Sequence, residues 1–168
     1  MVFKGDIIID FLNGTGTDYK GRKFLEILTW DDKQLEKCHD QIQWVFPLHE
    51  DSNYAISYPI VDKELIEKIN GNENIKDNLR KAKDRFEMFF GIGDYEDIST
   101  QKNWCINYNH NLLRITRIIR CLRLFGLEDE AKDFHDKVYS VGNKLNISSI
   151  TLKYWKRALI EDIWESLR

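Results

Sequence analysis

Apolar residues return at three- and four-residue steps along most of this chain, the spacing of one buried face on an α-helix. From Asp31-Asp32, acids suited to a helix N-terminus, the series Leu35, Cys38, Ile42, Val45 and Phe46 predicts one helix. Pro47 lacks a backbone donor and restricts Phe46, so that helix is expected to stop there. Asp62 is placed to cap a helix reaching Asn70, with Gly71 as its stop. Ile75, Leu79, Ala82, Phe86, Phe89 and Phe90 form the next stripe, ended by Gly91-Ile92-Gly93. Asn109 is expected to cap a helix through Phe125, closed by Gly126. Another helix runs from Glu128 to Val141 on Ala131, Phe134, Val138 and Val141. Ser148 or Ser149 caps a last one carrying Leu152, Trp155, Leu159, Ile163 and Leu167.

Residues 1–21 read differently. Gly14, Gly16 and Gly21 punctuate them, and Phe3, Ile7 to Ile9 and Phe11 suggest an irregular arm packed on the body. A short helical turn follows at Arg22 to Leu28, and a loop carrying Tyr54, Ile56, Tyr58 and Pro59 joins Leu48 to Ile60. No strand-like alternation is sustained, and no hairpin dipeptide separates two β-rich runs. The expected class is all-α, a single-domain orthogonal bundle of about six or seven helices. Residues 1–21 form its arm and residues 22–168 the helical domain.

Composition agrees with a folded domain. At 168 residues the chain fits one unit of about 150 residues, long enough to bury a core without a staple. Its 28 acidic and 25 basic residues give a net charge of -3, so no global positive field draws it to nucleic acid or anionic lipid. Cys38, Cys105 and Cys121 are odd in number and widely spaced, which points to a reducing, cytoplasmic setting without disulfides. No run approaches the roughly 20 apolar residues of a membrane span.

Two regions carry candidate chemistry. In the helix after Asn109, Ile115, Ile118, Ile119, Leu122 and Phe125 share one face at about 100° per residue. Arg117 and Arg120 lie opposite, Arg114 and Arg123 fall at the borders, and Leu113 and Leu124 point to the arginine side. This favours a helix packed on both faces, whose arginines clamp neighbours through carboxylates such as Asp84, Glu87, Asp94, Glu96 and Asp97. An anion pocket at Asn109, His110 and Asn111, or a nucleic-acid surface along Arg114 to Arg123, are the competing readings. In the Cys38 to Leu48 stretch, His39, Gln43, Trp44 and Phe46 set amide and imidazole groups among large aromatics. Packing against the Tyr54 to Tyr58 loop competes there with a partner groove having aromatic walls. Cys38, on the apolar stripe, reads as a core thiol.

Enzyme motifs are incomplete. His39-Asp40 invites comparison with helical metal phosphohydrolases, but no histidine precedes His39 to open that ligand set. His49, His110 and His135 have no histidine at a four-residue step, and no nucleophile elbow or phosphate-binding glycine loop is present. A hydrolase using His39, Asp40 and His110 remains the enzymatic alternative. No cofactor or metal is expected.

The run His39-Asp40-Gln41-Ile42-Gln43-Trp44-Val45-Phe46-Pro47 resembles the hallmark of the opioid growth factor receptor conserved-region family, a His-x-x-Ile-Gln-Trp-x-Phe-Pro string. Leu113-Arg114-Ile115-Thr116-Arg117-Ile118 is similar to that family's second block, Leu-Arg-Ile-Thr-Arg-Ile. The likeness extends from about Asp18 to Trp164, with Gln41 in place of an aromatic residue and Val45 in place of leucine. It implies a helical, non-enzymatic binding domain whose ligand is a peptide or protein, an opioid pentapeptide among the possibilities. A peptide site is then expected between the Gln43-Trp44-Phe46 edge, with His39, Tyr54 and Tyr58, and the helix start at Asn109, His110, Asn111, Arg114 and Arg117.

Overall fold

A computed structural model describes residues 3–50 and 57–167. Among these the architecture is all-helical, with the only extended pairings at two isolated bridges, Thr17 with Lys23 and Leu48 with Ile60. Ten α-helices follow in order: α1 Gly5–Asn13, α2 Phe24–Leu28, α3 Asp32–Lys37, α4 Ile42–Val45, α5 Lys63–Asn70, α6 Glu73–Phe90, α7 Ile98–Trp104, α8 Asn111–Leu124, α9 Glu128–Lys144 and α10 Ser149–Ile160. They fall into two compact units, one through Ala82 and one over Lys83–Ser166, so α6 contributes residues to each.

In the second unit α8, α9 and α10 pack on one another. Ile115, Ile118, Ile119, Leu122 and Phe125 are all fully buried, as their shared face requires. The Trp155 indole N–H donates to the Leu112 carbonyl at 3.1 Å and that of Trp104 to Phe90 at 2.9 Å, so both large rings enter the core without an orphaned donor. Gly142 permits the close approach of α9 to α10. A Cβ there would stand 2.8 Å from Ile147 and 3.0 Å from Leu152 and Trp155. Helix α7 goes beyond the sequence expectation: Asp97 accepts from the Ser99 and Thr100 N–H groups, and Gln101 and Trp104 are buried one turn apart.

The first unit corrects two expectations. The arm is not irregular: Gly5–Asn13 is helical, because Ile8, Phe11 and Leu12 share a face that is fully buried. Gly14 ends it at φ 84°. The predicted helix from Asp31 to Phe46 is in fact two. Asp31 does cap α3, accepting from Gln34 N–H, but Cys38 turns extended at ψ 107° and residues 38–41 leave the helix. Leaving the helix lets Asp40 reach Arg22, whose Nη1 donates to it at 3.0 Å. The Gln43 side chain, with its amide nitrogen turned inward, donates to the His39 and Asp40 carbonyls at 3.1 and 3.2 Å. A side chain thereby satisfies main-chain acceptors that the break exposed.

Asp40 gathers the unit. Lys20 Nζ pairs with it at 2.8 Å, Cys38 Sγ donates at 3.1 Å, and the Tyr19 hydroxyl donates to its second oxygen. Arg22 Nε also binds Asp18 Oδ2 at 2.6 Å, while Asp18 Oδ1 accepts from the Lys20 and Arg22 N–H groups at 2.9 Å. With the Thr17–Lys23 bridge, these bonds freeze the 17–23 loop. Burial pushes the Asp40 carboxyl up, but the bonds from Lys20, Tyr19, Cys38 and Arg22 outweigh it and hold the group well below the usual carboxylate range.

Two stability tests follow from this packing. A carboxyl held low in the folded chain stabilises at neutral pH and loses that contribution as acid protonates it. Asp40→Asn should therefore cost about 2–3 kcal/mol at pH 7, since it leaves the largely buried Arg22 short of a charged partner. Denaturant titrations of the two proteins should converge as pH falls below the ordinary carboxylate value; a gap constant down to pH 2 would contradict the network. Gln41 is fully buried, and neither its oxygen nor its nitrogen finds a hydrogen bond among the described residues. Gln41→Met keeps the length and removes both orphans, so the melting midpoint should rise, by about 1–2 kcal/mol in stability. A fall would show that the amide is satisfied in solution.

Candidate functional site

The sequence-selected residues divide between the units. In the first, Trp44 is fully buried, its indole N–H donating to the Ser57 carbonyl at 3.2 Å, and Tyr58 is half-buried. Trp44 thus packs against Ser57; Tyr54 and Ile56, the other residues named for that packing, lie outside the described residues. Phe46 and Gln43 are interior, the former in the core and the latter bracing the break, whereas His39 is exposed. Cys38 is half-buried and bonded to Asp40, so it is not the apolar core thiol expected of an unbroken helix.

In the second unit Asn109 Oδ1 accepts from Asn111 N–H at 2.8 Å, a cap two residues ahead of the first full turn of α8. His110 is exposed, Arg117 half-buried, and Asn111 and Arg114 buried. Arg123 is also buried, with Nη1 donating to the Ala158 carbonyl at 2.9 Å and Nε to Glu128 at 3.1 Å. Arg120 lies 3.6 Å from Glu161. These bonds tie α8 to α9 and α10, as clamps do. Four of the five carboxylates expected to serve are employed elsewhere. Glu87 pairs with Lys83 and Lys137, Asp84 accepts from Tyr95, Glu96 pairs with Lys144, and Asp97 caps α7. With Arg114 and Arg123 interior, and Leu113 rather than an arginine exposed beside them, no continuous cationic stripe forms a nucleic-acid face.

Catalytic chemistry finds little support. Asp40 is fixed in ion pairs, and its partners leave no oxygen poised as a base. Burial raises the Cys38 thiol and takes Cys105 up to about 11; Cys121 is raised further, so none is a ready thiolate.

What the first unit does present is a cleft of about 370 Å³. Phe3, Tyr19 and Trp44 supply rings, Ile7 an aliphatic wall, and Asp10 and Asp18 carboxylates. The rings contact one another: Phe3 meets Trp44 edge-on at 4.7 Å between centroids, and Tyr19 lies at 6.1 Å and 15° to the same indole. Behind Trp44, Phe11 packs edge-on at 5.4 Å. Gly16 lets the loop press on α1, where a Cβ would stand 2.8 Å from that of Asp10. Tyr19 owes its pose to Asp40, and Trp44 to α4, so the break at residues 38–41 sets both walls. Of these residues the sequence pointed to Trp44 alone as a site residue. Tyr19 and Asp10 became visible only through the 17–23 loop, whose Asp-x-x-Gly-Arg run was the available signal.

Comparison with known proteins gives this sequence its relatives. The chain is 33% identical over 112 residues to the opioid growth factor receptor of Mus musculus, covering 59% of this chain and 17% of that protein. It is 32% identical over 114 residues to the receptor of Homo sapiens, covering 59% of this chain and 16% of the relative. The opioid growth factor receptor-like protein 1 of Mus musculus is 33% identical over 107 residues, 58% of this chain and 23% of its own. The match therefore spans less than a quarter of these relatives' length. No solved structure matches the chain significantly. Residues 14–156 match the opioid growth factor receptor conserved region, the span that holds both sequence blocks, the Asp40 network and helices α2 to α9. The chain belongs to the opioid growth factor receptor conserved-region family.

Proposed function

We propose that this chain is a non-enzymatic binding module that receives one end of a short peptide in the cleft floored by Trp44. The aromatic cleft carries this reading: Phe3, Tyr19 and Ile7 border a space at the small end of ligand pockets, above the buried Trp44. Such a space suits one aromatic side chain and its flanking backbone, not a whole folded partner. The relatives' names associate the family with an opioid growth factor, and an enkephalin pentapeptide begins with tyrosine, so it is the first ligand to test. Three cysteines outside any disulfide among the described residues, each with its thiol raised, fit a reducing compartment such as the cytoplasm. No helix among the described residues is long and apolar enough to cross a membrane. The clamp role of Arg123 belongs to the same reading, since it keeps α8 as scaffold and leaves recognition of the short peptide to the first unit.

Binding should be weak, with Kd on the order of 10–100 μM, because a flexible pentapeptide loses much conformational freedom. Ile7→Ala, which trims an exposed wall, should weaken it at least about threefold, one buried-methylene step or more. Isothermal calorimetry decides: no heat at millimolar peptide removes the opioid reading, and affinity unchanged by Ile7→Ala moves the site elsewhere.

A further inference from the structure

Acidic residues outnumber basic ones in this chain, yet two long stretches hold none. No Asp or Glu occurs from Ile98 to Leu127 or from Lys137 to Ile160, and each run carries five Lys or Arg. The second unit brings the two runs together. Helix α10 packs on α8, the Trp155 indole N–H donates to the Leu112 carbonyl, and Asn107 Oδ1 accepts from Ser148 N–H at 2.9 Å. Glu128 and Glu161, the carboxylates that follow the two runs, face Arg123 and Arg120, so they neutralise α8 and not α10. Lys153, Lys156 and Arg157 are exposed on α10 and form no ion pair among the described residues; Arg157 lies over the Tyr154 ring, 5.9 Å from its centroid.

Apolar surface is set among these charges. Ile150 is 63% exposed and Tyr154, one turn further along α10, 56%. The Asn107 bond holds the 105–110 loop beside that first turn. In this loop Tyr108 is fully exposed at φ 69°, a left-handed conformation that strains any residue bearing a side chain. A single exposed apolar residue needs no explanation, but Tyr108, Ile150 and Tyr154 gathered amid unpaired cations do.

We infer that this face of the second unit docks an acidic amphipathic helix of a partner protein, its carboxylates on Lys153, Lys156 and Arg157 and its apolar side on Tyr108, Ile150 and Tyr154. The inference goes beyond the peptide cleft and uses no residue of it. Charge complementarity selects the occupant: opposite charge steers the encounter, and the apolar groups supply contact once the helix lies down. Tyrosine and arginine, which dominate interface energies, are both present. Nucleic acid would engage the cations but set Ile150 against phosphate, and Arg114 and Arg123 are interior. An anionic bilayer shares the charge preference, and the experiment separates it.

The test is fluorescence anisotropy on the full chain with a labelled peptide, Glu-Leu-Glu-Asp-Phe-Leu-Glu-Asp-Leu-Phe-Glu, acidic on one helical side and apolar on the other. The same peptide with glutamine at every acidic position is the paired probe. The acidic form should bind at least about tenfold more tightly, and its affinity should fall with added salt. Lys153→Glu combined with Arg157→Glu should remove that preference; both side chains are exposed, so circular dichroism should match wild type. Tyr108→Gly should weaken binding about threefold or more while the melting midpoint stays level or rises, because glycine adopts this turn without strain. Peptide binding that survives either change, or its absence at millimolar peptide, overturns the inference. Without peptide binding, charge-reversal-sensitive association with vesicles of phosphatidylcholine and about 30% phosphatidylserine gives the face to a membrane. A reversal-sensitive dimer in sedimentation gives it to a second copy, and either result likewise overturns the inference.

Discussion

The ion pair between Asp40 and Arg22 is the constraint on which the first unit turns. It joins a loop near the start of the chain to a break between two helices, groups 18 residues apart in sequence. To make it, the chain abandons helix at Cys38 and gives up main-chain bonds that Gln43 then replaces. The cost is met because Asp40 collects Lys20, Tyr19 and Cys38 as well, and because Arg22 simultaneously fixes Asp18. A single isolated surface pair would contribute little. A half-buried cluster, in which each member is already ordered by the others, loses less freedom per bond and stabilises more.

The shape of the cleft follows from that rigidity. Tyr19 is 39% exposed and would ordinarily sample several rotamers, yet its hydroxyl is anchored and its ring lies nearly parallel to that of Trp44. A wall fixed before a ligand arrives spares the ordering cost of binding. Arg22 and Lys20 also approach the Tyr19 ring, at 5.9 and 5.5 Å from its centroid, which adds a cation–π element to the anchor. The second unit shows the same physics in a structural role. Arg123 donates from Nη1 to Ala158 and from Nε to Glu128 and so holds three helices together.

Much of the helical plan could be read from the residues. Asp31, Asp62 and Ser148 each accept the capping hydrogen bond their chemistry suggested, and the stripes from Ile75 to Phe90 and Ala131 to Val141 are buried throughout. Reading failed where the deciding partner was distant. Nothing within the run from Asp31 to Phe46 reveals that Asp40 will be drawn to Arg22, so the apolar spacing suggested one continuous helix. Ile7-Ile8-Ile9 beside several glycines read as an irregular arm, although Ile8, Phe11 and Leu12 hold helical spacing. The family strings picked out Trp44, which is buried beneath the cleft, together with Phe46 and Arg114, which are buried as well. Hallmark residues that are buried report the fold, and Tyr19 and Asp10 lie outside those strings.

The central claim is that Asp40, by drawing Arg22 to the break at residues 38–41, fixes the 17–23 loop and its Tyr19 ring. Comparison of amide-resolved NMR spectra of the wild type and Asp40→Asn reads this most directly. Shifts spread over residues 17–23 and 38–44, the Trp44 indole N–H included, are the result the account predicts. Shifts limited to the immediate neighbours of residue 40, with residues 17–23 unchanged, would contradict it.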